Sequence, residues 1–130
     1  MTDVRSNLRY TDEHEWIQET DSGTVRVGIT DHAQDALGDI VYMGEFPDIG
    51  DRVAQGDEIG VVESTKATSD IYAPISGKVV AINEELREEA ERINKDPYGL
   101  GWLVELKPAN MEELEELLSA DQYTQLLEHS

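Results

Sequence analysis

Up to residue 107 the apolar residues of this chain come in runs of four to seven, separated by turn-forming residues. Runs that short cannot complete the three turns of a typical helix, whereas strands are elements of that length. Residues 14–19 and 24–30 flank Asp21-Ser-Gly23, a hairpin turn signal, and residues 38–43, 58–63, 70–73, 78–82 and 101–107 read as further strands. Turn chemistry follows at Phe46-Pro-Asp-Ile-Gly50 and Pro74-Ile-Ser-Gly77. Helical signals are few. Asp31 precedes Gln34 by three and Gly38 follows, which predicts a short helix capped by Asp31. Residues 84–93 predict another, with a solvated face. Asn110 precedes Glu113 and Ser119 precedes Gln122 at capping-box spacing, so two helices are expected over about 110–128. Leu114, Leu117 and Leu118 share one helical face. The expectation is a single domain, 1–130, that is mainly β, a sandwich or barrel with short helices, two of them at the C-terminus.

Charge narrows the partners. With 29 acidic residues against 10 basic ones the net charge is -19, a field that repels nucleic acid and anionic lipid and favours partners with basic faces. A hydrophobic content of 38%, spread along the chain in patterned runs, separates it from a disordered acidic tail. No run of about 18 apolar residues exists to span a membrane, and MTDVRSNLRY lacks the apolar core of a secretory signal. Without cysteine there is no disulfide, thiol nucleophile or thiolate metal site, which fits a reducing compartment.

Against this background one lysine stands out. The hairpin over about 58–75 joins two apolar runs through Glu63-Ser-Thr-Lys-Ala-Thr-Ser-Asp70, and Lys66 is one of only four lysines in the chain. A hairpin fixes the position of its tip while leaving the tip side chain free of packing. Nucleophilic lysines need burial or a cationic neighbour to lose their proton, and the flanking Glu63 and Asp70 act the other way. Two readings stay open from the residues alone: an ordinary solvated lysine, or a displayed amine modified by another enzyme.

Other candidates are weaker. Glu13-His14-Glu15 has the residue types of an acid-base or metal cluster, but on a strand His14 points away from both carboxylates. His14 and His32 lack a metal-ligand spacing such as HExxH, so no metal site is expected. There is no G-x-S-x-G elbow, no G-x-G-x-x-G and no Walker A run. Trp16 and Trp102 read as core aromatics.

The stretches His14-Glu-Trp16, Val27-Gly-Ile-Thr-Asp31, Leu37-Gly-Asp-Ile-Val41, Gly60-Val-Val-Glu-Ser64, Lys66-Ala67, Ser69-Asp70, Tyr72-Ala-Pro-Ile-Ser-Gly77, Asp96-Pro-Tyr-Gly99 and Gly101-Trp102 run in order over most of the chain. Together they resemble the H proteins of the glycine cleavage system, a family of lipoyl carriers. Generic lipoyl domains carry D-K-A at their hairpin and biotin carriers M-K-M, and neither occurs here. The resemblance implies a flattened barrel-sandwich hybrid with lipoic acid in amide linkage on Lys66, on a carrier protein that is not itself an enzyme. It implies four partners: pyridoxal-phosphate-dependent glycine decarboxylase, aminomethyltransferase, dihydrolipoyl dehydrogenase and a lipoate-attaching enzyme. The implied role is to carry an aminomethyl group from the first to the second and present the dithiol to the third. The alternative is an H-like protein relaying lipoyl groups to other complexes. Glu63 and Gly77 match positions implied to help the attaching enzyme, and Glu15, His32 and Asp70 are expected to line a cleft for the loaded arm. A monomer is implied, in the cytoplasm, or in the mitochondrial matrix if a transit peptide has been removed.

Three departures from the family pattern stand in the sequence. Met43-Gly-Glu-Phe46 is one residue longer than usual, so a bulge or loop shift is expected there; Ala90 and Arg92 replace Pro and Leu; Thr65 replaces Val or Met.

Overall fold

The structure is a computed structural model and describes residues 3–129. Nine strands form two sheets. The larger runs in the order β1 (Arg9–Tyr10), β2 (Glu15–Glu19), β3 (Val25–Ile29), β9 (Val104–Pro108), β8 (Gly77–Ile82), β5 (Arg52–Val53). The smaller is β4 (Ile40–Gly44), β6 (Glu58–Ser64), β7 (Thr68–Tyr72). Every pairing is antiparallel. No strand of one sheet pairs with a strand of the other, so the layers form a flattened sandwich rather than a closed barrel, in the mainly β class the sequence predicts.

Period-two patterning makes the core. Val25, Val27 and Ile29 alternate along β3 and are all buried, and they meet Met43, Val62 and Ile71 from the smaller sheet. A second cluster, around Tyr10, Trp16, Tyr98 and Tyr123, ties the C-terminal helix to β1 and β2. The Tyr10 and Tyr123 rings stack at 4.5 Å. Tyr10 and Leu118 exchange backbone hydrogen bonds of 2.8 Å in both directions, joining the chain's two ends. Trp16 is buried as expected, whereas Trp102 is only half-buried beneath the Arg26 guanidinium, 4.6 Å from its ring.

The helices are α1 (Asp31–Leu37), a 3-10 turn (Glu84–Arg87), α2 (Arg92–Lys95), α3 (Glu112–Glu115) and α4 (Ala120–Glu128). Several sequence expectations shift here. Thr30, not Asp31, caps α1: its Oγ1 accepts from the Ala33 amide, while Asp31 Oδ1 accepts from Gln34 Nε2 at 2.7 Å. The helix expected over 84–93 is broken into the 3-10 turn and α2, with Leu86, Ala90 and Ile93 turned into the core. Arg92 pairs with Glu85 and Glu89. Ser119 forms its full capping box with Gln122. Asn110 does not form one, because the Glu113 carboxylate instead accepts from Ser76 N at 2.8 Å and from Ser76 Oγ at 3.1 Å. The 43–46 segment places Glu45 at φ 61, just past a register shift between Ile40 and Tyr42 in β4.

Candidate functional site

Strands β6 and β7 form the hairpin, and Thr65, Lys66 and Ala67 connect them. Ser64 fixes this short connection. Its Oγ accepts from the amides of Lys66 (3.2 Å) and Ala67 (3.0 Å), and its own amide donates to the Ala67 carbonyl at 2.8 Å. A serine turned back on the following backbone is a common turn device. The tip is also tied sideways, since the Thr65 amide donates to the Asp39 carbonyl at 3.1 Å. The Lys66 side chain is exposed and has no ion-pair partner among the described residues. Its stem passes Gly38, the residue that closes α1 with φ 84; a Cβ there would lie 3.4 Å from Lys66 Cε. The sequence signal for Ser64 was its place two residues before the lysine.

Away from the tip, β7 brings Tyr72 to Glu15. β7 is an edge strand, so the Tyr72 amide points away from the sheet, and Glu15 Oε2 accepts from it at 2.7 Å. Thr11 Oγ1 donates to Oε1 at 3.2 Å. Glu15 is only 2% exposed. Burial is the main cause that pushes its carboxyl up from the ordinary 4.5 to about 7, against the opposing effect of the two hydrogen bonds. A cleft of about 660 Å³ opens beside it, lined by Thr11, Glu15, Tyr72, Pro74, Leu117 and Leu126 among others. Nothing in the spacing of the sequence announced Pro74 or the helical leucines as walls of this cleft.

The other expected site residues are dispersed. Asp70 lies between the tip and Tyr72 on the exposed face of β7, beside Glu58, whose carboxyl it raises through a side-chain hydrogen bond and then by like charge. His32 sits in the first turn of α1, with its ring 4.6 Å from that of His14. His14 is not on a strand: it occupies the turn before β2 at φ 65, and its Nδ1 is 2.8 Å from the Tyr123 hydroxyl. Burial first, then the His32 charge, lowers its pKa. His32 and Asp70 are not among the residues lining the cleft beside Glu15. Glu63 is half-buried in β6 opposite Thr68. Gly77 lies on the other sheet, where a Cβ would come within 2.4 Å of the Lys107 carbonyl oxygen, so close strand approach demands glycine there. Among the described residues no group of three or more histidine or acidic side chains is arranged to hold a metal ion.

An exposed lysine on a pinned hairpin of a two-sheet sandwich is a combination that known proteins share. The family model described as glycine cleavage H-protein matches residues 8–130. The chain belongs to this family. It is 59% identical over 123 residues to a glycine cleavage system H protein of a Psychrobacter species, covering 95% of this chain and 97% of the relative. The H protein of Saccharophagus degradans is 49% identical over 128 residues, covering 98% of each. The crystal structure of a glycine cleavage system H protein from Mycobacterium marinum superposes with a TM-score of 0.87 at 40% identity, covering 96% of this chain and 99% of that one. The H-protein family thus accounts for fold and hairpin together, and its members are carrier components rather than enzymes.

Proposed function

We propose that this H-protein family member carries a lipoyl group in amide linkage on Lys66 and serves glycine cleavage as the shuttle between the system's enzymes. The single observation behind this reading is the exposed Lys66 amine on a tip held by Ser64 and Asp39. The residues fit the group: the amine is accessible to an attaching enzyme, and the backbone beneath it is already ordered. Bound there, the lipoyl group supplies a disulfide able to accept electrons and a one-carbon amine fragment.

The chain's own part is positional. Ser64 and the α1–β4 turn hold the tip, with the exposed amine lying over Gly38, and Glu63 offers a carboxylate to the attaching enzyme. Gly77 lets β8 approach β9, which keeps the Pro74–Gly77 turn in place. Glu15 is the acceptor we assign for a cationic amine brought to the cleft, with Asp70 along β7 and His32 at the far end of α1 as further polar groups on the way. A buried carboxyl raised to about 7 is drawn toward its ionised form by an approaching cation, which it then pairs with in a weakly screened setting. As a component of the glycine cleavage system the chain meets the system's other members. The specific partners we assign are glycine decarboxylase, aminomethyltransferase and dihydrolipoyl dehydrogenase, plus the lipoate-attaching enzyme.

Intact mass tests the attachment. Incubated with a lipoate ligase, ATP and lipoate, the folded chain should gain roughly 188 Da, and Lys66→Arg should gain nothing. A wild-type chain left at its bare mass would overturn the assignment. Supplying the modified chain to glycine decarboxylase then tests the shuttle role, with glycine-dependent release of carbon dioxide as the expected result.

A further inference from the structure

We propose that the outer face of β5, β8 and β9 is a docking site for an acidic amphipathic helix of a protein partner. Arg52 stands directly opposite Lys78, and Lys78 directly opposite Lys107, so three exposed cations lie abreast on adjacent strands. Like charges in directly opposed positions destabilise a sheet. The chain has 29 acidic residues with which to neutralise such a row. Arg5, Arg26, Arg87 and Arg92 do have carboxylate partners, whereas Arg9, Lys66 and Lys95, like the row, have none among the described residues, but none of those three stands directly opposite another cation. Among the described residues no carboxylate pairs with any member of the row.

The nearby acids are engaged elsewhere. Glu105, two residues before Lys107 on β9, takes Arg26 Nε on one oxygen at 3.2 Å and the Thr24 hydroxyl on the other at 2.7 Å. Asp51, next to Arg52, accepts from the Asp48 amide at 3.1 Å, and Asp57 accepts from the Ala54 amide at 2.9 Å. The row is left open in a molecule otherwise rich in negative charge.

Shape selects the occupant. The cations border a groove of about 560 Å³ whose other walls include Val53, Val80, Pro108 and Ala109. A line of cations beside an apolar wall matches a line of carboxylates beside an apolar ridge. Directly opposed side chains on neighbouring strands have Cβ atoms about 4.5–5.5 Å apart, and side chains at i and i+4 on a helix are about 5–6 Å apart. Acidic residues at i, i+4 and i+8 therefore meet the three cations in turn, and apolar residues at i+3 and i+7 face the groove. An extended segment places same-face side chains about 6.8 Å apart and falls out of step by the third. A small anion leaves the apolar wall uncovered. A second copy of the chain brings another net charge of -19 against the first. The row lies on the larger sheet and Lys66 on the smaller, so this site is independent of the hairpin's modification.

The probe is a synthetic helical peptide with Glu at i, i+4 and i+8 and Leu at i+3 and i+7. Its control has the same composition with Glu spread around the helix. With the full chain, amide shift changes on titration should be confined to positions 52–53, 77–80, 107 and 109. The triple variant R52Q/K78Q/K107Q should bind about tenfold more weakly, and the control peptide about fivefold more weakly than the probe. The variant should keep the wild-type dispersion of amide shifts away from the row, which shows that it folds. Shifts outside the row, equal affinity for both peptides, or unchanged affinity in the variant would each overturn the proposal. So would equally strong binding of tripolyphosphate at the same amides, or self-association abolished by the triple substitution.

Discussion

Glu15 shows how a single carboxyl couples the cleft to pH. Its folded-state pKa of about 7 lies above the ordinary 4.5, because burial disfavours the charge. Between those values the native chain holds a proton that the unfolded chain has released. Stability from this group is therefore greatest at low pH, falls as pH rises from about 4.5 to about 7, and is level above that. The shift amounts to roughly 3 kcal/mol across the window. Glu15→Gln keeps an acceptor for the Tyr72 amide and removes the titration. In urea unfolding, the stability difference between pH 5 and pH 8 should shrink by about 2–3 kcal/mol in the variant; an unaltered pH profile would place the titration on another group. None of this was legible locally. The resemblance places Glu15 at a cleft, but nothing in Glu13-His-Glu15 signals its burial, and the partner that draws it inward, Tyr72, is 57 positions away.

At the scale of elements, two short pieces of structure set what the hairpin and the C-terminal helix can do. Ser64 supplies the acceptor for two tip amides. Because the tip is exposed, water replaces part of what Ser64→Ala removes, and the stability cost should be about 0.5–1 kcal/mol. Modification should suffer more, since the amine would no longer stand on an ordered turn: the lipoylation rate should fall severalfold, measured by mass against time, while Thr65→Ala leaves it near wild type. At the other end Tyr123 packs on Tyr10 and its hydroxyl lies 2.8 Å from both His14 Nδ1 and Thr30 Oγ1. Tyr123→Phe keeps the stacking and strips the shared hydroxyl from a buried place. A loss of about 1–2 kcal/mol is expected, with faster amide exchange in α4 than in β3. The capping signals illustrate what local pattern does and does not fix. Ser119 and Gln122 close on each other as the local spacing predicts, but Glu113 finds Ser76, 37 positions away, and leaves Asn110 without its box.

Over the whole molecule, the sequence conveys the class and the seven longer strands better than arrangement, and it misses the two-residue strands β1 and β5, too short to show a pattern. Runs closed by turn residues announce the strands, but nothing in the 101–107 run says that β9 inserts between β3 and β8, which only the pairing of distant segments decides. Net charge, by contrast, is fully legible, and it acts on the molecule as a unit. A charge of -19 is brought into a smaller volume on folding, so self-repulsion opposes the compact state. The ion pairs that offset it are few and mostly exposed, and such pairs contribute little each. Salt screens the long-range repulsion, with a Debye length falling from about 30 Å at 0.01 M to about 3 Å at 1 M. The surface pairs weaken too, but they involve only a handful of the charges, so the repulsive part dominates. The thermal midpoint should therefore rise steadily with sodium chloride over this range at pH 8, where the acidic groups are ionised. Reversing acidic charge on the 84–91 segment, as in Glu88→Lys, should raise the midpoint at low salt and flatten its dependence. A midpoint indifferent to salt would mean that local pairing already balances the field, and the acidic surface would then have to be explained by contact with basic partners alone.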